Sequence, residues 1–226
     1  MKTLKSILFF VLFVIMTSCG QTDKQSKSFK VFNEGVSYSL DATIELEKGN
    51  FENAIELNTK AIDKFLEMLQ IDSTHKMALG ALGHSYYMIR DYQKGIEWYE
   101  KANMVDTNNV ANYLEYGLCL INLGDLSNGN SAIEKAISID NSKASIDHAV
   151  YNLLDIGTLA FDYGKEYDKQ GDKEEGQAYK EFSIAVLLIA HHLDTTNQEV
   201  IRPIIDFSEK IGYAETAEEF KNKVIN

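Results

Sequence analysis

The chain of 226 residues has little of what many folds and catalytic sites are built from. It contains one proline, Pro203, and a shortage of proline favours long helices over a turn-rich β architecture. Its two cysteines, Cys19 and Cys119, are too few for a disulfide framework. The sequence has no phosphate-binding loop, zinc-protease motif, nucleophile elbow or dinucleotide fingerprint. We therefore expect no cofactor, no catalytic residue and no enzymatic activity.

Positive charge is also scarce. The chain has 22 lysines and arginines against 34 aspartates and glutamates, a net charge of −12 with histidine neutral. Nucleic acid and anionic headgroups repel such a chain, so we expect no nucleic-acid partner. Hydrophobic residues make up 45% of the sequence and charged residues 25%, which is typical of a globular protein.

The first residues have the pattern of an export signal. Lys2 and Lys5 precede a short apolar run, residues 7–16, which is too short for a comfortable membrane span. The stretch "MTSC", ending at Cys19, resembles the lipobox of bacterial lipoproteins, although methionine stands where leucine is more usual. The resemblance implies cleavage before Cys19 and attachment of lipid, palmitate included, to that residue. An ordinary signal peptide and a retained membrane anchor are the alternatives.

These features predict three segments. Residues 1–18 form a lipoprotein signal peptide, residues 19–33 a lipidated flexible tether, and residues 34–226 a helical domain. Removing the signal takes away Lys2 and Lys5 and makes the net charge −14, so membrane contact would depend on the lipid. Asp23 is the one acidic residue close to Cys19, whereas surface-exported lipoproteins of some bacterial groups are more acidic at this point. We therefore expect an anchor in the outer membrane with the domain facing the periplasm.

Two segments of the chain, residues 76–109 and 110–143, are similar to each other at a spacing of 34 residues. Apolar residues recur at helical intervals in both, and a shared period of this length is typical of a helical repeat array. The matching pairs are Gly83/Gly117, Tyr86/Leu120, Asp91/Asp125, Gly95/Gly129, Ala102/Ala136 and Asp106/Asp140.

The repeated residues resemble the tetratricopeptide repeat (TPR) family, although Thr107 and Asn141 replace the usual closing proline. The resemblance implies an all-α fold, a right-handed superhelix of about five antiparallel helix pairs. Elongated helices are expected in the first and fourth pairs, because Gly49–Asp72 and Gly171–Asp194 each span seven residues more than Gly124–Asp140.

Single residues predict how the helices begin and end. Asp91 and Asp125 stand where an N-cap accepts from free backbone N–H groups, and Gly124 can end a helix in the left-handed conformation. Arg90 occupies the position of Gly124 in the preceding repeat and departs from this pattern. Pro203 is placed near the start of its helix, where a missing N–H is tolerated.

In the TPR family, the first helix of each pair lines a concave surface that holds a peptide. Carried over by position, the resemblance implies an apolar, methionine-containing groove suited to adaptable recognition. The alternative is that long terminal helices cover these positions and make them core. The implied partner-binding residues are Met77, His84, Tyr87, Met88, Leu114, Leu118, Ile121 and Asn122.

Few residues favour other chemistry. His191 and His192 with Asp194 form the densest set of metal-ligating residues, but adjacent helical residues point about 100° apart, so we expect no metal site. Cys119 lies between two leucines in mid-helix and is expected to be a buried, inert thiol. A charged group, Asp162, Lys165, Asp168 and Lys169, forms either a polar end of the groove or a solvated helix face.

The sequence thus predicts a lipid-anchored scaffold or adaptor at the bacterial cell envelope, which binds a protein or peptide partner through its helical surface. The alternative is a periplasmic or surface lipoprotein that captures a glycan, a lipid or a small hydrophobe. The sequence leaves the partner and the oligomeric state open.

Overall fold

The computed structural model describes the backbone of residues 2–224 and the side chains of residues 25–224. All secondary-structure elements in this part of the chain are α-helices, which confirms the predicted fold class. Their bounds are α1 Lys2–Glu47, α2 Phe51–Ile71, α3 Lys76–Met88, α4 Tyr92–Val105, α5 Val110–Asn122, α6 Leu126–Ile139, α7 Lys143–Gln170, α8 Lys173–Leu193, α9 Gln198–Ile211 and α10 Ala214–Val224.

Consecutive helices pack as hairpins: α1 with α2, α3 with α4, α5 with α6, α7 with α8, and α9 with α10. The two central hairpins match in length, because α3 and α5 have 13 residues each and α4 and α6 have 14 each. Helices α2 and α8 have 21 residues and α7 has 28. The predicted elongation of the first and fourth pairs is confirmed.

The chain divides into two compact units, residues 1–106 and 107–226. In the first unit, Phe65 of α2 and Leu82 of α3 are at most 1% exposed and form the centre of the core with Ala61 and Ile62. A second cluster joins Val31, Met68 and Ala78. Both clusters bury apolar side chains from successive helices, which is the interaction that an isolated helix cannot make.

The segment predicted as a flexible tether, residues 19–33, belongs to α1, and its C-terminal part is core. Val31 is buried, and the Phe32 ring contacts Phe65 and His75 at centroid distances of 5.7 and 5.1 Å. The packed helical domain therefore begins before residue 34. The segment is mostly polar, which is why the sequence predicted a tether. Burial of two apolar side chains, Val31 and Phe32, is nevertheless enough to hold this turn of α1 against its neighbours. The signal peptide and the Cys19 side chain lie outside the described side chains, and their assignment stays a prediction.

The turns inside the five hairpins share one backbone conformation. Gly49, Gly124, Gly171 and Gly212 all have positive φ, and Arg90 has φ 62° at the corresponding place between α3 and α4. The left-handed conformation expected for Gly124 is confirmed, and Arg90 adopts it as well, which strains a residue that carries a Cβ. Asp91 and Asp125 are N-caps as predicted, accepting from the backbone N–H of Lys94 and Asn128.

In the second unit, the helices of two hairpins approach closely at small residues. A Cβ added at Gly117 would lie 2.7 Å from the Gly129 carbonyl oxygen, so the α5 and α6 backbones touch there. In α7 and α8, the Ser183 hydroxyl donates a 2.6 Å hydrogen bond to the Gly157 carbonyl. Close backbone contact leaves no room for a larger side chain at either place.

Pro203 does not lie in the first turn of its helix. Helix α9 begins at Gln198, which makes Pro203 its sixth residue, inside the helix. A proline there cannot donate to the carbonyl of Glu199 four residues before it. The helix continues because Val200, Ile201 and Ile204 are buried on both sides of the proline, and their packing offsets the missing hydrogen bond.

Candidate functional site

Four of the predicted partner-binding residues lie on α3 in the first unit. Met77, His84 and Met88 follow one another at spacings of seven and four residues, which places them on one face of the helix. Met77 is 63% exposed, while His84, Tyr87 and Met88 are partly buried. The Tyr87 ring contacts the Tyr92 ring at a centroid distance of 5.8 Å. We call Met77, His84, Tyr87 and Met88 together the α3 face. Its two methionines make it a polarizable, largely apolar surface of the kind that suits adaptable contacts.

The other four predicted residues lie on α5 in the second unit, and three of them are buried. Leu114 is 4% exposed, and Leu118 and Ile121 are fully buried. Asn122 is partly exposed, and its side-chain amide donates a 2.8 Å hydrogen bond to the Leu118 carbonyl. The three apolar residues are therefore core side chains, and the partner-binding role stays a prediction for Asn122.

Ile121 shows how one of these positions is buried. Its side chain fills the space beside Gly129, where an added Cβ would come within 2.5 Å of the Ile121 Cγ1 atom. Ile121 is therefore packed between α5 and α6 and does not line an open groove.

Sequence reasoning missed an exposed face on α7. Side chains spaced four, four, three and four residues apart share one side of this helix and are all exposed. The side chains carry aromatic, aliphatic and carboxylate groups, so the surface is both apolar and acidic. This set, the α7 face, consists of Tyr151, Asp155, Leu159, Asp162 and Glu166. The length of the predicted helix was the signal that could have located it, because a longer helix presents more outward positions.

The predicted charged group of Asp162, Lys165, Asp168 and Lys169 is mainly a solvated helix face. Lys165 pairs with Asp162 at 2.5 Å, and Lys169 pairs with Glu166 at 2.6 Å, both at i,i+3 spacing. Exposed pairs of this kind contribute little to stability. Asp168 differs, because its carboxylate accepts from Lys180 of α8, whose side chain is only 11% exposed.

Three tyrosines lie near the same end of the α7–α8 hairpin. The Tyr167 and Tyr179 rings stack at a centroid distance of 5.3 Å, and Tyr163 packs at 6.0 Å from Tyr179 in a tilted arrangement. Burial raises the pKa of Tyr179 above its usual value, with neighbouring Tyr167 adding to the effect. The Tyr167 and Tyr179 rings thus share one face with each other, whereas the Tyr163 side chain remains 43% exposed.

Cys119 is buried in α5, as predicted. Burial raises the pKa of its thiol to about 12, with Glu115 adding to the shift, so the thiol is protonated at neutral pH. A protonated, inaccessible sulfur is a poor nucleophile.

His191 is buried against α10, where its ring meets Phe220 edge-on at a centroid distance of 4.8 Å. Its Nδ1 atom has no hydrogen-bond partner among the described residues. Burial lowers the pKa of His191, and the positive charge of Lys223 adds to the effect. His192, the neighbouring residue, is exposed. Within the part of the chain whose side chains are described, no group of three or more histidine, cysteine or carboxylate residues is arranged to hold a metal ion.

Two surface depressions occur near hairpin ends. One of about 550 Å³ lies at the α1–α2 turn around Gly49 and Glu56, and one of about 370 Å³ lies between α9 and α10 around Arg202 and Val224. Within residues 25–224, no helical stretch has the length and apolar character needed to cross a membrane.

Comparison with protein families supports the repeat assignment. The tetratricopeptide repeat family model matches residues 110–143, the hairpin of α5 and α6. No curated protein matches the chain significantly. The class supported is thus a protein containing a tetratricopeptide repeat, and this repeat is the one that the sequence period delimits.

Comparison with solved structures returns MamA and YrrB among its matches. A crystal structure of MamA is 18% identical, covers 81% of this chain and 92% of that chain, and has a TM-score of 0.44. MamA 41-end from Desulfovibrio magneticus RS-1 is 17% identical, covers 85% and 93%, and has a TM-score of 0.46. YrrB, described as a TPR protein with an unusual peptide-binding site, is 14% identical, covers 91% and 90%, and has a TM-score of 0.44.

Proposed function

We propose that this protein is a non-enzymatic, lipid-anchored scaffold that binds a protein or peptide partner at the bacterial cell envelope. The observation that carries the proposal is the tetratricopeptide repeat at residues 110–143, because such repeats bind protein or peptide partners. The lipobox-like "MTSC" at Cys19 supports the anchor and the envelope location, with the domain on the periplasmic face of the outer membrane.

The α3 face and the α7 face are the surfaces that we assign to partner contact. The α3 face offers methionine side chains, which adapt to varied apolar partners, and Met77 is the most exposed of them. The α7 face offers tyrosine and leucine beside three carboxylates, and Asp162 and Glu166 are already paired with Lys165 and Lys169 of the same helix. This surface therefore suits a mainly apolar partner. Asn122 is the α5 residue of the predicted set that stays within reach of a partner.

Cross-linking in intact membranes tests the proposal. The full-length chain should cross-link to a discrete partner, and Met77→Glu or Tyr151→Glu should lower the yield at least fivefold, because either places a carboxylate on an apolar contact. Met104→Glu is the matched control, since Met104 is 82% exposed and belongs to neither face. A charge at Leu118 would be uninformative, because burying it would unfold the hairpin.

Comparison of the three variants shows whether the α3 face and the α7 face contact the partner. If both test variants cross-link as well as the control does, the two faces do not bind the partner. If all three variants lose the partner equally while their circular dichroism is unchanged, the recovery was not specific to these faces. Capture of a glycan, lipid or small hydrophobe, the alternative function, is favoured by no described depression or ring arrangement.

A further inference from the structure

Helix α1 has two apolar sides. Val31, Gly35 and Ala42 are buried on the side that packs against α2. Phe29, Leu40 and Ile44 lie on the opposite side, at spacings of eleven and four residues that keep them on one face. They are 71%, 61% and 47% exposed. Together with the partly buried Val36 at its edge, we call this set the α1 stripe.

Helices α2 and α3 pack against α1, and Phe29, Leu40 and Ile44 stay exposed beside them. The exposed polar residues Asn33 and Ser37 stand between Phe29 and Leu40 on this side of the helix. Single exposed apolar residues need no explanation, but several large ones on one helix face are typical of an interaction surface. Phe29 and Ile44 are 15 residues apart, so the α1 stripe extends about 22 Å along the helix.

Charges beside the stripe indicate what covers it. Lys30 and Asp41 are both exposed, lie along the same edge of the stripe and are eleven residues apart. In an antiparallel pair of identical helices, residues on the same edge face each other across the two-fold axis. Lys30 of each copy then lies level with Asp41 of the other, which gives two opposite-charge pairs. A parallel pair would instead set Lys30 level with Lys30 and Asp41 level with Asp41.

We propose that the α1 stripe is a self-association surface, on which a second copy of this chain packs its own α1 in antiparallel orientation. Such a contact is self-complementary and closes as a two-fold dimer, so it does not propagate into a filament. With Lys30 level with Asp41, Leu40 and Ile44 of one copy lie level with Val31 and Lys27 of the other, on either side of its Phe29. Ser37 lies beside the two-fold axis. The proposal is independent of partner binding at the α3 and α7 faces.

Thiol cross-linking of the full-length chain in membranes tests the geometry. Ser37→Cys should form a covalent dimer with a short thiol cross-linker, because the two sulfurs meet near the axis. Thr59→Cys, an exposed position on α2 of the same unit, is the matched control and should give at least fivefold less dimer. Equal yields from the two variants, an adduct with a different protein, or no dimer at all would overturn the proposal.

Charge reversal tests the orientation in the Ser37→Cys background. Lys30→Glu alone should reduce the dimer yield several-fold, because two carboxylates then face each other at both ends. Adding Asp41→Lys should restore the yield by recreating both pairs with the signs exchanged. Leu40→Glu should abolish the dimer, whereas Met104→Glu should leave it unchanged. Failure of the double reversal to restore the yield, with α-helical content intact, would exclude the antiparallel arrangement.

Discussion

At the residue scale, single backbone and side-chain positions of this chain depart from what its repeat pattern requires. Arg90 adopts the left-handed conformation that four glycines adopt at the other hairpin turns. His191 is buried with an unpartnered ring nitrogen, as assessed over the described residues. Each departure places a local cost in an otherwise regular array, and each can be removed by one substitution.

Replacing Arg90 with glycine should stabilise the protein. The left-handed conformation costs an L-residue with a Cβ about 1 kcal/mol, and glycine escapes this cost but loses more entropy on folding, so we expect a net gain of about 0.5 kcal/mol. Urea unfolding followed by circular dichroism measures it. The reverse change at the equivalent site, Gly124→Arg, should destabilise by a similar amount. A loss of stability in Arg90→Gly would mean that the Arg90 side chain contributes more than its backbone conformation costs.

His191 should make the stability of the second unit sensitive to mild acid. Its pKa is lowered in the folded state, so the unfolded chain binds the proton more readily. The stability that neutral His191 contributes is present above the unfolded pKa of about 6.5 and is lost as the pH falls through the folded pKa. The urea midpoint should therefore fall more between pH 7.5 and pH 5.5 in the wild type than in His191→Leu.

The neighbouring residue supplies the control for this effect. His192 is exposed and is the weakest of the charges that act on His191, so His192→Leu should keep most of the pH dependence of the wild type. Burial is the main cause of the lowered pKa of His191, followed by the charges of Lys223, Glu219 and Asp194. If His191→Leu and the wild type lose equal stability on acidification, other groups control the response.

At the element scale, the helices pair where glycine lets their backbones touch. The sequence predicted the five hairpins, the N-caps and the long helices, because caps, turns and hydrophobic spacing are local. It left open whether Leu114, Leu118 and Ile121 line a groove or are core, and the structure buries all three. Burial depends on both facing surfaces at once, so a pattern along one helix does not fix it.

Gly129→Ala tests this close contact. Glycine inside a helix is intrinsically worse than alanine by about 0.5–1 kcal/mol, so propensity alone would predict stabilisation. Here a Cβ would lie 2.5 Å from Ile121 Cγ1 and 2.9 Å from the Gly117 carbonyl oxygen. We expect overpacking to dominate and to destabilise the protein by about 1–3 kcal/mol. Thermal or urea unfolding measures the change.

Ser131→Ala is the matched control on the same helix, because Ser131 is exposed and its hydroxyl bonds only to the preceding turn. It should change the free energy of unfolding by less than about 0.5 kcal/mol. A stabilised Gly129→Ala variant would show that α5 and α6 can separate at little cost, and the close-contact explanation for the buried α5 residues would then be wrong.

At the scale of the whole molecule, the negative charge is unevenly distributed. Residues 107–226 contain 20 acidic and 10 basic residues, a net charge of −10, whereas residues 1–106 contain 14 and 12, a net charge of −2. An acidic chain gains nothing from an anionic membrane surface, so its proposed membrane attachment depends on the lipid at Cys19.

Cys19→Ser should therefore move the protein from the membrane fraction to the soluble fraction. High salt screens charge but leaves acyl chains buried, so a wash with 1 M salt should not release the wild-type protein. Cell fractionation and immunoblotting measure both results. Cys119→Ser is the control, because Cys119 is buried and its loss should leave the distribution unchanged. Release of the wild type by salt, or retention of Cys19→Ser in the membrane, would contradict a lipid anchor.

The sequence by itself determined the all-α class, the 34-residue repeat, the hairpin turns and the caps, because each depends on residues close together in the chain. The tertiary structure decided where α1 joins the core, which faces of α3 and α7 stay exposed, and that three predicted groove residues are buried. Burial is a property of two surfaces in contact. Val31 and Ile121 carry the same apolar signal whether they face solvent or a neighbouring helix, and only the packed neighbour distinguishes the two.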